Sequence, residues 1–534
     1  MQSTTRRRGL ALAPLALALT LSSCASTDDG KTKEPGNAAE YTTGLVNLPE
    51  DGDPVKGGTL TLGAYSEPAV LDPAQAIVAG STGGVSLTAI FDVLMRWDSK
   101  SNDVVPQLAE SLEPNEDFTE WTMTLRDDVK FSDGTPFDSA AVKWSIERYV
   151  EDGGDEAMLW NNNVEQVATP DDRTVVFELN TTWPTFEYMM TTGPGMVVAK
   201  SSDAGGSFKP VGAGAFTLAE HKPAEYISLE ANPAYWDGAP NLDGVKEVFL
   251  NDPSATLDSF RNGSIDSVFL REPDLVDELV QDEASGFLNM VSLGNVAVIN
   301  SAKGRPGSDP RVRRAMQLAI DPEVVNNRAY EGAGIASNEI FPDFSIWNSD
   351  ADALPYDPDQ AKQLLEEAKA DGYDGKVTHL DASDPASRAT ALTIKASLEA
   401  VGFDVELDLV ASVADQVNKV AIEGDYDIAG WGISWREAGT FARMFATLHS
   451  DGNLSVGMPT TPEMDALIEE VQAAPDEETE REVKGRIQEQ WNEDVPALVF
   501  APTAEFLAWD TNVHGVVDTT NSMVLLDDAW MSKQ

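Results

Sequence analysis

The sequence predicts an α/β fold on three observations. Segments of period-two hydrophobicity recur along the chain, and helical patterns with clear start signals lie between them. With 534 residues and 42% hydrophobic content, the chain can also bury more than one core. Taken in order, Gly57-Gly58-Thr59-Leu60-Thr61-Leu62 opens the body as a strand, with Leu71-Asp72-Pro73 following its loop. Trp121, Met123 and Leu125 alternate with Thr122, Thr124 and Arg126, the pattern of a half-buried strand. Asp127-Asp128 turns the chain so that 129–131 pairs back, and Ser132-Asp133-Gly134-Thr135-Pro136 is a second turn. Asp138 caps a helix whose apolar positions are Val142, Ile146 and Tyr149. Residues 173–179 (RTVVFEL) form a further strand.

Val211-Gly212-Ala213-Gly214-Ala215-Phe216 has the look of a phosphate cradle but lacks the Lys-Ser/Thr ending and a following helix. Its glycines read instead as a turn with positive φ. Asp309-Pro310 and Asp321-Pro322 each place a cap and a first-turn proline before a helix, the first burying Val312, Ala315, Met316 and Ala319. Asp357 and Gln360 have capping-box spacing, with Leu364, Leu365 and Ala368 on the buried face. A helix over 388–401 stops at Gly402, and Phe403, Val405, Leu407 and Leu409 then alternate as a strand. Arg311, Arg313 and Arg314 read as a solvated face making ion pairs rather than an anion site. The sequence has no internal repeat.

The amino-terminal segment is organised differently. Arg6-Arg7-Arg8 is a basic start, and 10–21 is an apolar run too short for an ordinary membrane span. Leu21-Ser22-Ser23-Cys24 follows and resembles a bacterial lipobox. That likeness implies cleavage before Cys24, a diacylglyceryl chain on its thiol, and an extracytoplasmic protein anchored to the cell membrane. A free thiol behind an ordinary secretory signal is the alternative, and Arg7-Arg8-Gly9-Leu10 leaves twin-arginine export open beside general secretion. With one cysteine, no internal disulfide can form. Residues 24–55, rich in Ser, Thr, Asp, Gly, Pro and Lys, are expected to be a flexible tether. The formal charge of −53 repels nucleic acid and anionic membrane faces. Spread along the chain, it reads as a hydrated surface, with attraction of cationic solutes as the alternative.

The string from Gln107 to Arg148, QLAESLEPNEDFTEWTMTLRDDVKFSDGTPFDSAAVKWSIER, closely resembles the signature of the extracellular solute-binding proteins of family five, receptors serving peptide and nickel ABC importers. Other segments match that family in the same order. They are the Gly-rich turn, Asn232-Pro233-Ala234-Tyr235-Trp236, the helices after Asp309 and Asp357, and Gly424-Asp425-Tyr426-Asp427-Ile428. The likeness runs from Gly57 to beyond Pro496. It implies a type II periplasmic-binding-protein fold, two lobes with a hinge plus an extra domain, and a ligand enclosed between the lobes. The implied division is a signal peptide over 1–23, a tether over 24–55, lobe one from 56–91, 205–297 and 496–534, an extra domain over 92–204, and a second lobe over 298–495. The implied partners are a small-molecule or peptide ligand, ABC permease subunits and, through them, cytoplasmic ATPases. A monomer without cofactor is expected.

The segment from Trp431 to Phe441 resembles the family's principal ligand-contacting loop. From it Trp431, Gly432, Ser434, Trp435, Arg436 and Phe441 are candidate ligand contacts. Ser81, Thr82 and Phe500 join them because their regions face the cleft in relatives. Tryptophan in a loop offers flat apolar area and exposed backbone can pair with an extended ligand, whereas Trp431 and Trp435 as core aromatics at a strand end are the alternative. Oligopeptide-binding relatives carry an aspartate here that pairs with the peptide amino terminus; Ser434 stands in its place. A hydroxyl cannot neutralise an ammonium group, which leaves Glu437 as a shifted replacement or Arg436 as a seat for a ligand carboxylate. Ser434→Asp is therefore expected to change ligand preference. His221, His379, His449 and His514 are isolated, so no metal site is expected, and there is no G-x-S-x-G elbow. The leading reading is a lipid-anchored, non-enzymatic receptor without catalytic residues that takes a peptide or peptide-like ligand, with an oligosaccharide or a metal chelate as ligand alternatives. An extracellular carboxylate-dependent glycan hydrolase and a sensor or adhesion lipoprotein using the same cleft are the alternatives.

Overall fold

A computed structural model describes residues 41–50, 52–250 and 252–533; Cys24 and the apolar run before it lie outside them. An eleven-stranded mixed sheet runs through the described chain. Its path is Asp404–Val410, Lys376–Ala382, Ile428–Trp435, Ser285–Ile299, Ala497–Trp509, Ser267–Leu270, Thr59–Ala64, Gly244–Phe249, Tyr226–Ala231 and Phe216–Lys222, with Gly44–Val46 paired beside Ser285–Ile299. Two long central strands change neighbours along their length. Ser285–Ile299 takes Ile428–Trp435 as a partner only from Ser292 onward, and Ala497–Trp509 takes Ser267–Leu270 only at Phe506 to Trp509. The pairing of the two long strands with each other is interrupted between Val291 and Asn295. Leu293 and Gly294 have φ of 65° and 61° there, a bulge that bends the sheet where its two halves meet.

The expected tether to residue 55 is corrected at Tyr41. Gly44–Val46 pairs antiparallel with Gly286 to Leu288, and the Tyr41 hydroxyl donates to Asp277. Ser285–Ile299 has no partner on that side until Ser292, so the short strand covers an edge that would otherwise be open. Three residues are too few to show a period, and polar composition concealed them.

The Gln107–Arg148 string supplies two strands, Ala109–Pro114 and Glu120–Leu125, of a smaller four-stranded antiparallel sheet that continues with Thr174–Leu179 and Val164–Asp171. Trp121, Met123 and Leu125 are buried as their alternation predicts, each worth about 1.5–3 kcal/mol of transfer from water. Helix Ser139–Glu151 begins where Asp138 accepts from the Ala141 N–H, and it buries Val142, Ile146 and Tyr149. The pairing partner was misplaced. Residues 129–131 do not return to the strand; Lys130 bridges Pro136, and the hairpin is made by Ala109–Pro114 around Asn115, whose side-chain Oδ1 accepts from the N–H groups of Thr119 and Glu120. Thr174–Leu179 already occupies the other edge.

The polar residues of the string clamp this small sheet to the large one. Arg148 forms a fork on Asp72, at 3.0 and 2.6 Å, and also pairs with Asp203. Arg126 lies over the Trp236 ring at 4.1 Å, and Gln107 donates to both Asp92 and the Tyr235 hydroxyl.

Asp309, Asp321 and Asp357 cap their helices as expected, and the helix ending at Gly402 begins earlier, at Pro385 behind a cap by Asp384. Arg311 and Arg314 make surface ion pairs, but Arg313 is buried and donates to the carbonyls of Asp494 and Gly307. Gly212 and Gly214 do not have positive φ. They are small because the chain presses against helix Gly84–Phe91: a Cβ at either would lie 2.3 Å from the carbonyl oxygen of Ile90 or Ala89. Gly212→Ala is therefore expected to cost about 1–3 kcal/mol, seen as a lower urea midpoint at unchanged slope.

Candidate functional site

Strands Thr59–Ala64 and Ser267–Leu270 are parallel, and their carboxyl ends deliver Tyr65 and the Arg271-Glu272 pair to the sheet crossing. Strand Ile428–Trp435 is antiparallel to Ser285–Ile299 and reaches the crossing from the other half, carboxyl end first. The arrangement sets the carboxyl ends of strands from both halves across one gap, the position where open α/β sheets bind ligands.

Side-chain alternation sorts the second strand. Ala429, Trp431, Ile433 and Trp435 contribute to one apolar cluster, which leaves Gly430, Gly432 and Ser434 on the other face. On that face a Cβ at Gly432 would lie 3.9 Å from an Arg271 Nη, so the two halves of the sheet approach closely there. The strand pairs with Lys376–Ala382 only at Ile428 and Ala429. The Gly430 carbonyl accepts from Gln416, and from Trp431 onward the outer edge has no strand neighbour among the described residues.

Beneath the gap lies a buried ion pair. Arg436 donates to Glu505 Oε2 at 2.8 Å, Ser522 Oγ donates to the same oxygen, and Asn289 Nδ2 donates to Ser522 at 2.9 Å. Burial pushes the Glu505 carboxyl up, but the charges of Arg436 and Arg271 and the hydrogen bonds from Ser522 and Arg436 outweigh it and hold the group below its usual range. Glu505 Oε1, Asn289 Oδ1 and Thr503 Oγ1 are buried without a protein partner. Burial also raises the Tyr65 hydroxyl to about 12, with Glu272 adding to the rise.

The sequence-derived candidates divide. Gly432 and Ser434 face the gap. Ser81 and Thr82 lie in the turn Gly80–Thr82, which packs on Asn521 and Ser522: the Gly80 N–H donates to the Asn521 carbonyl, and a Cβ at Gly80 would lie 2.0 Å from the Ser522 carbonyl oxygen. The Thr82 hydroxyl donates to the Ile77 carbonyl.

Trp431 through Trp435 form a strand, not a loop; glycines at alternate positions hid the period. Trp435 is 1% exposed between Phe341 and Trp491, and half-buried Trp431 packs against the same cluster. Phe441, in helix Thr440–Leu448, meets Trp183 edge-on at 5.3 Å. Phe500 is 1% exposed in a core with Val312 and Leu365. These aromatic side chains are packing residues in this structure.

Arg436 is committed to Glu505, and Glu437 is buried, accepting from Ser345 Oγ and the Ile346 N–H. Neither is free to take over the role left open by Ser434. Among the described residues no group of three or more His, Cys, Asp or Glu is placed to hold a metal ion.

Tyr65, Arg271, Glu272, Glu505 and Tyr188 also lie at or beside the crossing, and none is among the sequence-derived candidates. Tyr188 occupies the space a side chain at Gly439 would need, and its hydroxyl accepts from Thr520. Glu505 had a readable signal: it is the only charged residue in Ala497–Trp509, an otherwise nearly apolar buried strand. Arg271-Glu272 had another, a charged pair directly after a fully buried strand.

A mixed sheet whose two halves are joined by long crossing strands, with the carboxyl ends of strands from both halves facing each other, is the architecture of a two-lobed solute-binding protein. The chain belongs to the bacterial extracellular solute-binding proteins, family 5, whose middle-region profile matches residues 103–453. It is 28% identical over 399 residues to the probable D,D-dipeptide-binding periplasmic protein DdpA of Escherichia coli K12, covering 72% of this chain and 76% of that one. It is 25% identical over 484 residues to heme-binding protein A of Haemophilus influenzae, covering 83% and 87%. The fold is that of type II binding proteins: the oligopeptide-binding protein AppA of Bacillus subtilis, solved with a nonapeptide, superposes with a TM-score of 0.75 at 20% identity, covering 90% of this chain and 100% of that one.

Proposed function

We propose that this protein is an extracytoplasmic receptor that takes a peptide or peptide-like solute between its lobes and delivers it to the permease of an ABC importer driven by cytoplasmic ATPases. One observation carries the peptide reading: the unpaired outer edge of the strand from Trp431 to Ser434, beside the gap to Arg271 and Tyr65. An extended peptide completes such an edge with main-chain hydrogen bonds that do not depend on its side chains. The names of DdpA and AppA, a dipeptide-binding and an oligopeptide-binding protein, support the same ligand class. The second lobe, 298–495, moves against the rest about the bulge at Leu293 and Gly294, and ligand contacts made from both sides shift the population toward closure. The receptor acts as a monomer held to the membrane by a lipid on Cys24.

Small-angle scattering is the direct test. Peptide libraries are expected to shrink the radius of gyration, and no contraction with any peptide would overturn the peptide reading. Contraction with oligosaccharides or metal chelates alone would assign the cleft to those ligands. Cys24→Ser is expected to move the protein from the membrane fraction to the soluble one; retention on the membrane would remove the lipid anchor.

A further inference from the structure

Acidic side chains outnumber basic ones by 90 to 37 in this chain, so an arginine has many potential partners. Near the sheet crossing and its clamp, Arg436 is matched with Glu505, and Arg148 with Asp72 and Asp203. Arg271 differs. It is half-buried at the end of Ser267–Leu270, its guanidinium 5.6 Å from the Tyr65 ring centre and directed at Gly432 across the gap. Among the described residues no carboxylate forms an ion pair with it, and no acceptor takes a hydrogen bond from its guanidinium. A partly desolvated guanidinium in an acidic protein is costly to leave unmatched.

The carboxylates around it accept hydrogen bonds from other groups, and none accepts from its guanidinium. Glu505 is 1% exposed and bound by Arg436 and Ser522. Glu272 lies beside the Tyr65 hydroxyl and accepts from the Arg271 N–H. Glu437 is buried against Ser345 and Ile346. Across the gap, Gly432 contributes no side chain, and a larger residue would project toward the guanidinium. The gap thus holds a guanidinium whose N–H donors have no acceptor among the described residues, although its charge acts on Glu505 from a distance. The second lobe offers a hydroxyl, Ser434, where a free amino terminus would need an acid.

We propose that Arg271 is the charge anchor of the solute: the ligand carries a carboxylate that seats on this guanidinium between Tyr65 and Gly432, and it needs no free amino group. The inference rests on the peptide reading above. A planar guanidinium matches a carboxylate with two parallel hydrogen bonds, which a lysine ammonium cannot reproduce.

The test uses three randomised tripeptide libraries, made as the free acid, the carboxyl-terminal amide and the amino-acetylated acid, with retention by the purified protein read by native mass spectrometry. The wild type is expected to retain both acid libraries and about ten-fold less of the amide. Arg271→Gln is expected to remove the difference between acid and amide, and Arg271→Lys to keep part of it. Ser434→Asp is expected to shift preference toward free amino termini. Equal retention of acid and amide by the wild type overturns the inference, as does an unchanged ratio in Arg271→Gln or loss of retention on acetylation. Each of those outcomes leaves the receptor reading standing. If the wild type retains no tripeptide from any library, the peptide reading falls and this inference falls with it. If Arg271→Gln does not fold, the wild-type ratio and Arg271→Lys decide.

Discussion

Arg436→Met is expected to destabilise the protein by about 3–5 kcal/mol, because it leaves the Glu505 carboxylate buried without its principal countercharge. Arg436 is 8% exposed and Glu505 1%, so water cannot substitute for the lost partner. The pH dependence identifies the cause. In the wild type Glu505 titrates below its ordinary value, so its contribution is present above the unfolded pKa of about 4.3 and is lost as pH falls through the lower folded value. Without Arg436 the burial that opposes ionisation prevails and the folded pKa rises. The variant then binds a proton that the unfolded chain has released, and its defect grows as pH increases from about 5 to 8. Urea unfolding at the two pH values measures this. The double variant Arg436→Met with Glu505→Met removes the stranded charge and is expected to recover most of the loss. If single and double variants are equally unstable at pH 8, the ion pair is not what holds the crossing.

The contrast between this pair and the helix starts shows what was legible in the sequence. Asp138, Asp309, Asp321 and Asp357 each act on an N–H two or three residues away, so the string of residues contains the whole interaction. The Gln107–Arg148 string stands out because it serves two purposes at once. Trp121, Met123 and Leu125 fill the small sheet, while Gln107, Arg126 and Arg148 fasten that sheet to Asp92, Trp236 and Asp72. The site depends on different physics. Arg436 and Glu505 are 69 residues apart in sequence, and Arg271 reaches Gly432 across 161. No local pattern tells that Arg436 is neutralised from below while Arg271 is left facing the gap. Glycines at 430 and 432 also erased the alternation that would have placed Trp431 and Trp435 on the buried face. The resemblance points to the strand Ile428–Trp435, and three-dimensional packing decides which of its side chains are buried in the apolar cluster and which face the crossing.

Stability is expected to fall as pH rises from 5 to 8, against the habit of proteins whose carboxylates are stabilised by ion pairs. Burial is the main reason. It pushes the carboxyls of Asp92, Glu156, Glu187, Glu247, Asp381 and Glu437 up to about 7 in the folded chain. Unfolded, the same groups titrate near 4. Between those values the folded state holds more protons than the unfolded state, so stability decreases with increasing pH, by up to about 1.4 kcal/mol per pH unit for each group. Self-repulsion within a chain of net charge −53 acts in the same direction. Groups held below their usual range, Glu505 and Asp309 among them, lose their contribution only as pH falls below about 4, which sets the optimum near that value rather than in stronger acid. Asp92 isolates one term. Its carboxyl is buried beside the carboxylate of Asp527, accepts from the Tyr235 hydroxyl at 2.7 Å and from the Val93 N–H at 2.8 Å, and has φ of 58°. Asn fits the same left-handed backbone and keeps the carbonyl acceptor for Val93, but it cannot ionise. Asp92→Asn is therefore expected to come close to the wild type near pH 4 and to exceed it by a margin that grows from pH 5 to pH 8, where the wild type must either bury a charge or unfold. Thermal melts of the two proteins across that range measure the difference. Parallel curves, or a wild-type midpoint that does not fall above pH 5, would mean that these carboxyls ionise in place and that water reaches them in the folded state.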